Sequence, residues 1–164
     1  MIWVIKLKVI YEREKVVEYA KKWAFSRNPK YYNFDSLGGD CTNFASQCLY
    51  AGAPVMNYTK DTGWYYVNLN NRAAAWTSAE YFKRFMLKNT GVGPVCEERN
   101  PFELEKGDFI SLMSGERSYH TLIVVGFENE MPLVAAHTYN AFMRRLDSYY
   151  YEQAKGIHIK YSNK

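Results

Sequence analysis

The chain has 164 residues, 48% of them apolar and 23% charged, the composition of a globular domain long enough to bury about 70% of its unfolded surface in one core. The net charge of +4 is mild and the basic residues are scattered, which argues against a nucleic-acid-binding protein. Three cysteines is an odd number, in a chain too large to need a disulfide framework. Aromatics are plentiful, with 15 Tyr, 9 Phe and 4 Trp. Tyrosine at that level suits either a groove that stacks sugars and peptides or the margin of an aromatic core.

In chain order, Met1–Ile10 alternates like a strand and is too short and lysine-broken for a signal peptide or a membrane span. Residues 12–26 carry Val16, Tyr19, Ala20, Trp23 and Ala24 on one helical stripe, which Asn28-Pro29 stops. A loop over 30–39 leads through Gly38-Gly39-Asp40 into a second helix that starts at Cys41 and ends at Ala51-Gly52. A polar and aromatic segment, 53–75, contains Gly63-Trp64-Tyr65-Tyr66. Thr77-Ser78-Ala79-Glu80 reads as a capping box opening a third helix. Strands are expected at 108–113, 119–127, 133–138 and 156–161. Helices followed by an antiparallel sheet make an α+β fold, taken here as a single domain over 1–164.

A thiol at a helix start faces unpaired N–H groups and the helix dipole, which favour the thiolate. Cys41 is therefore the expected nucleophile, and the histidines downstream supply a base. With Asn129-Glu130 as a two-residue turn, Leu122 faces His137 and His120 is its diagonal neighbour on the same face. A slip of one residue would send His137 to the other face. On this reading His120 takes the thiol proton, and His137 orients His120, with Asn140 as rival for that task. Asp40 either caps the helix or orients a substrate amine. Asp108 shapes a turn, and His158 is a core or surface histidine. The bland reading of Cys41 is a small buried hydrophobe. Cys48 is a core thiol two turns on, Cys96 lies in a loop, and no cysteine–histidine spacing suggests zinc.

Trp23-Ala24, Arg27-Asn28-Pro29, Gly38-Gly39-Asp40-Cys41-Thr42-Asn43-Phe44 and Ser46-Gln47 resemble the Putative amidase domain family of Clostridium- and Bacillus-type bacteria. So do Gly63-Trp64-Tyr65-Tyr66, Trp76-Thr77, Gly107-Asp108, Tyr119-His120-Thr121 and Ala136-His137-Thr138, in order along nearly the whole chain. The resemblance implies a papain-like plan close to NlpC-type and CHAP cell-wall peptidases, with N-terminal helices on an antiparallel sheet. Catalytic Cys41, His120 and His137 and substrate contacts at Asp40, Trp64, Tyr65 and Asn140 follow from it and from the residue reading. The expected activity is cysteine-dependent hydrolysis of amide bonds in peptide or peptidoglycan by a monomer, without metal or cofactor. Cell wall, spore or extracellular space is the location the family implies. The alternatives are a glycan-binding module built on Trp64, Tyr65 and Tyr66, and an acyltransferase using the same thiol.

Overall fold

The computed structural model describes residues 7–164, so the first six residues of the expected N-terminal strand lie outside the described residues. In order come β1 (Lys8–Val9), α1 (Arg13–Trp23), α2 (Cys41–Gly52), the hairpin β2 (Tyr66–Asn68) and β3 (Asn71–Arg72), a single-turn α3 (Ala74–Thr77) and α4 (Ala79–Lys88). Six strands follow: β4 (Gly93–Arg99), β5 (Phe109–Ser114), β6 (Arg117–Glu128), β7 (Met131–Ala136), β8 (Ala141–Arg145) and β9 (Gln153–Asn163). Among the described residues the large sheet runs β1-β9-β5-β6-β7-β8, with β4 on the free side of β9 and every pairing antiparallel. The protein is α+β. No helix of the described residues is long and apolar enough to cross a membrane.

Alternation along the strands divides the core in two. Phe109, Ile123, Val125, Ala135, Ile157 and Ile159 meet Val16, Ala20, Phe44, Cys48 and Leu49 of the helices. Ile110, Leu112, Leu122, Val124, Val134 and Ala136 face the other way and are covered by Leu104, Leu146 and Tyr149. Cys48 is in the core as expected, whereas Cys96 lies in β4, a strand where the sequence predicts a loop. Its Gly-Pro start and charged end lack clean alternation, which hid it.

An ion-pair network ties helix to sheet. The Arg13 guanidinium reaches Asp108 Oδ1 at 2.7 Å and the Ile159 carbonyl at 2.6 Å, while His158 Nδ1 lies 2.8 Å from Asp108 Oδ2. Asp108 thus links α1 to β9 as well as shaping a turn. Glu105, Asp108 and His158 have metal-ligand chemistry, but Arg13 already supplies the cation beside all three, 3.7 Å from Glu105.

The expected capping box does not form. Ser78 makes no side-chain cap bond, and the Glu80 carboxylate turns away to accept from the backbone N–H of Ser118 at 2.8 Å. Lys83 and Arg84 pair with it at 2.8 and 2.6 Å. The strand it grips bulges there, where Leu112 pairs His120 but Met113 pairs Ser118. Glu80 therefore fixes the strand two residues before His120. Burial alone would raise this carboxyl; bonds from Lys83, Ser118 and Arg84 outweigh it and hold the group at about 2. Because the folded value is depressed, its stabilisation is present above the ordinary 4.5 and is lost as pH falls toward 2. Glu80→Gln is predicted to cost up to about 3 kcal/mol at pH 7, with the gap to wild type closing between pH 4.5 and 2 in urea melts. A gap independent of pH would contradict this.

Candidate active site

Cys41 is the first residue of α2 and is partly exposed. Gly38 and Gly39 precede it with φ of +85° and +95°, backbone that favours glycine, and a Cβ on Gly39 would come within 3.2 Å of the Thr138 hydroxyl. The loop can thus fold tightly against the β7–β8 turn and deliver Cys41 to the sheet. Thr42 locks the approach: its hydroxyl lies 3.0 Å from that of Thr121 on β6 and 3.6 Å from the Cys41 sulfur.

Burial raises the Cys41 thiol above its ordinary value, and Asp40 pushes the same way; the Thr121 and Thr42 backbone N–H groups and the Thr42 hydroxyl offset part of this. The expectation of a lowered thiol is corrected here, since desolvation exceeds what the helix start supplies.

His120 is partly exposed on β6, one residue before Thr121. Its imidazole shares the Leu122 and Val124 side of the sheet, with its centroid 6.0 Å from that of Tyr149. Burial and then the nearby Arg144 charge hold it down at about 4, so the ring is neutral at pH 7. Among the described residues no hydrogen bond joins it to Cys41; one step of strand separates His120 from the Thr121 N–H at the sulfur.

His137 is not the partner of His120. The turn itself forms as read, with Asn129 and Glu130 at φ of +48° and +69°, and Glu128 pairs Met131. A bulge then moves the register: Gly126 pairs Leu133, but Val124 pairs Val134. That shift brings His137 level with Thr121 and onto the helix side, as β7 ends at Ala136 and Thr138 and Tyr139 turn left-handed. There the fully buried ring stacks on Phe44 at 3.8 Å, with Nδ1 2.5 Å from Asp40 Oδ2 and Nε2 2.8 Å from the Trp23 carbonyl.

Asp40 is equally enclosed. Its other oxygen accepts from the Phe34 backbone and the Asn43 amide, each at 2.9 Å, and Arg27 Nε lies 3.6 Å from Oδ2. It makes no side-chain cap on α2, so the helix's first N–H groups are left free of it, and it is shut away from a substrate amine. Asn140 Oδ1 accepts from the Arg27 guanidinium at 2.9 Å rather than from a histidine. Trp64 is fully buried, donating to Ser46, which removes it from any binding surface; Tyr65 packs on Tyr58.

Asp40, Asn43 and His137 line a pocket too narrow for a water molecule, and wider clefts lie elsewhere on the surface. One of about 420 Å³, edged by Tyr81, Arg84, Phe85 and Lys88, contains none of the expected site residues. Another, about 430 Å³, is formed by Met113, Ser114, Tyr119, Tyr150, Tyr151 and Glu152, directly beside His120 in sequence. Sequence reasoning missed this tyrosine cleft, Tyr149 and Arg144, because Arg144, Tyr149, Tyr150, Tyr151 and Glu152 lie on a weakly patterned stretch that the fold brings beside the start of β6.

His137→Ala removes the nearest partner of the buried Asp40 carboxylate, which keeps Arg27 at 3.6 Å, and is predicted to cost about 1–3 kcal/mol of stability. Thermal melts check this, and a loss under 1 kcal/mol would refute the structural role.

No solved structure matches the chain. A protein of Bacillus subtilis (strain 168), "Uncharacterized protein YhbB", is 34% identical over 139 residues, which cover 82% of this chain and 43% of that protein. The chain thus spans less than half the length of that relative. The family described as Putative amidase domain matches residues 10–160, and the chain belongs to it.

Proposed function

We propose that the protein is a cysteine-dependent amidase with Cys41 as nucleophile and His120 as general base, built on the plan of papain-like and NlpC-type hydrolases. The observation that carries the reading is the junction of α2 and β6. The partly exposed Cys41 thiol at the N-terminus of α2 meets the backbone N–H of Thr121, the residue after His120, beside the Thr42–Thr121 hydroxyl clasp.

The reaction follows from the two neutral groups. As the sulfur forms its bond to the amide carbon, His120 takes the thiol proton. The carbonyl oxygen, now negative, is met by the uncapped N–H groups at the start of α2; one such donor is worth about 2.7–4 kcal/mol in related chemistry. His120 then gives the proton to the nitrogen, the C–N bond breaks, and the amine leaves a thioester on Cys41. Water, deprotonated by His120, releases the acid and restores the thiol. The cleft of Tyr119, Tyr150 and Tyr151 suits peptide linked to glycan, since tyrosine rings pack on apolar sugar faces while their hydroxyls stay wet. A cell-wall peptide amide is therefore the proposed substrate.

Incubating the chain with peptidoglycan fragments and following new free amine tests this. Wild type is expected to release amine, Cys41→Ala none, and His120→Ala about 10²–10⁴-fold less. A base protonates below its own pKa, so kcat/KM should stay level down to about pH 4 and fall below it. Amine release that survives Cys41→Ala would refute the assignment.

A further inference from the structure

Arg144 is a cation without a counter-charge. Its neighbour Arg145 pairs with Asp147 and Glu128, but among the described residues no carboxylate lies within ion-pair distance of Arg144. It is half-buried, so it lacks full hydration as well. The side chain is nevertheless held firmly. Nε donates to the Ser148 hydroxyl at 2.8 Å, one terminal nitrogen donates to the Ser148 carbonyl at 3.2 Å, and the guanidinium lies 3.9 Å from the Tyr149 ring centroid. Among the described residues the other terminal nitrogen has no carboxylate or carbonyl acceptor. The Tyr149 hydroxyl is buried, makes no hydrogen bond of ordinary geometry, and has the Arg144 side chain as its polar neighbour.

These two orphaned donors belong to residues that surround His120. Arg144 pairs with Val134 in the sheet, on the same side as Leu122 and Val124, and the Tyr149 and His120 rings are neighbours at 6.0 Å. A fixed, unpaired guanidinium edge beside a free phenol donor is complementary to a planar anion with two acceptor oxygens. We infer that Arg144 and Tyr149 form a carboxylate-binding subsite beside His120, selecting amide substrates that carry a free carboxylate close to the scissile bond. The inference rests on the amidase reading and deepens it by naming the substrate class. It also has a consequence for the base. A bound carboxylate offsets the guanidinium charge that, with burial, keeps His120 weakly basic, so a matching substrate strengthens the base that attacks it.

The experiment compares Cys41 alkylation by iodoacetate and by iodoacetamide, which differ only in the carboxylate, with each rate normalised to glutathione. Wild type should favour iodoacetate, and Arg144→Gln should lower the iodoacetate-to-iodoacetamide ratio about tenfold. Tyr149→Phe, which removes one hydroxyl from a ring that stays packed, should lower it less, and Arg144→Lys should restore part. An unchanged ratio in Arg144→Gln and Tyr149→Phe would overturn the subsite while leaving a reactive Cys41, and hence the amidase reading, intact. If Cys41 reacts no faster than Cys48, it is the amidase reading that falls. The subsite is then decided by titrating Cys41→Ala with N-acetylglycine and N-acetylglycinamide. A preference for the acid that Arg144→Gln abolishes supports the subsite, and equal binding of the two overturns it.

Discussion

Everything at the candidate site depends on one buried carboxylate. Asp40 gathers the Phe34 backbone, the Asn43 amide, the His137 ring and the Arg27 guanidinium around its two oxygens. Those four groups come from the glycine-containing loop's entry, the body of α2, the end of β7 and the segment after α1. A buried anion is tolerated only when its lone pairs are filled, so the requirement runs both ways: the partners hold Asp40, and Asp40 holds them. The next residue is Cys41, so its place inherits that rigidity.

The polar face of α2 extends the same logic. Asn43 also accepts from Trp76 Nε1 at 3.0 Å, and Ser46 accepts from Trp64 and donates to the Trp76 carbonyl. A helix buried on nearly all sides needs such partners, and here two tryptophans supply them. Burial acts in opposite directions on the two proposed reacting groups. It raises the thiol and lowers the imidazole, so in the mechanism we propose proton transfer accompanies bond formation instead of preceding it as a thiolate–imidazolium pair.

Much of this was legible in the sequence. The apolar stripe Val16–Ala24, the Gly-Gly-Asp-Cys entry to α2 and the Asn129-Glu130 turn each follow from local chemistry, and each is where the pattern places it. What failed was non-local. The bulge at Val124–Gly126 leaves no mark in the alternation of a strand buried on both faces, yet it carries His137 away from His120. Glu80 follows Thr77 at capping-box spacing, but the helix starts one residue later with Ser78 as its N-cap, and a buried backbone N–H at Ser118 and two cations hold the carboxylate. Trp64 looked like a stacking platform because composition cannot tell a wet aromatic from one whose indole N–H is satisfied inside. Arg144 gave no sequence signal at all, since its meaning lies in a missing partner.

The central claim is that His120 takes the proton of the Cys41 thiol. It is tested most directly by the pH dependence of Cys41 alkylation by iodoacetamide in wild type and His120→Ala, with the labelled site located by mass spectrometry. The account predicts that wild type keeps a measurable rate well below the raised thiol pKa, down to about pH 4 where His120 protonates, and that His120→Ala loses this limb. Superimposable profiles for the two proteins would contradict it.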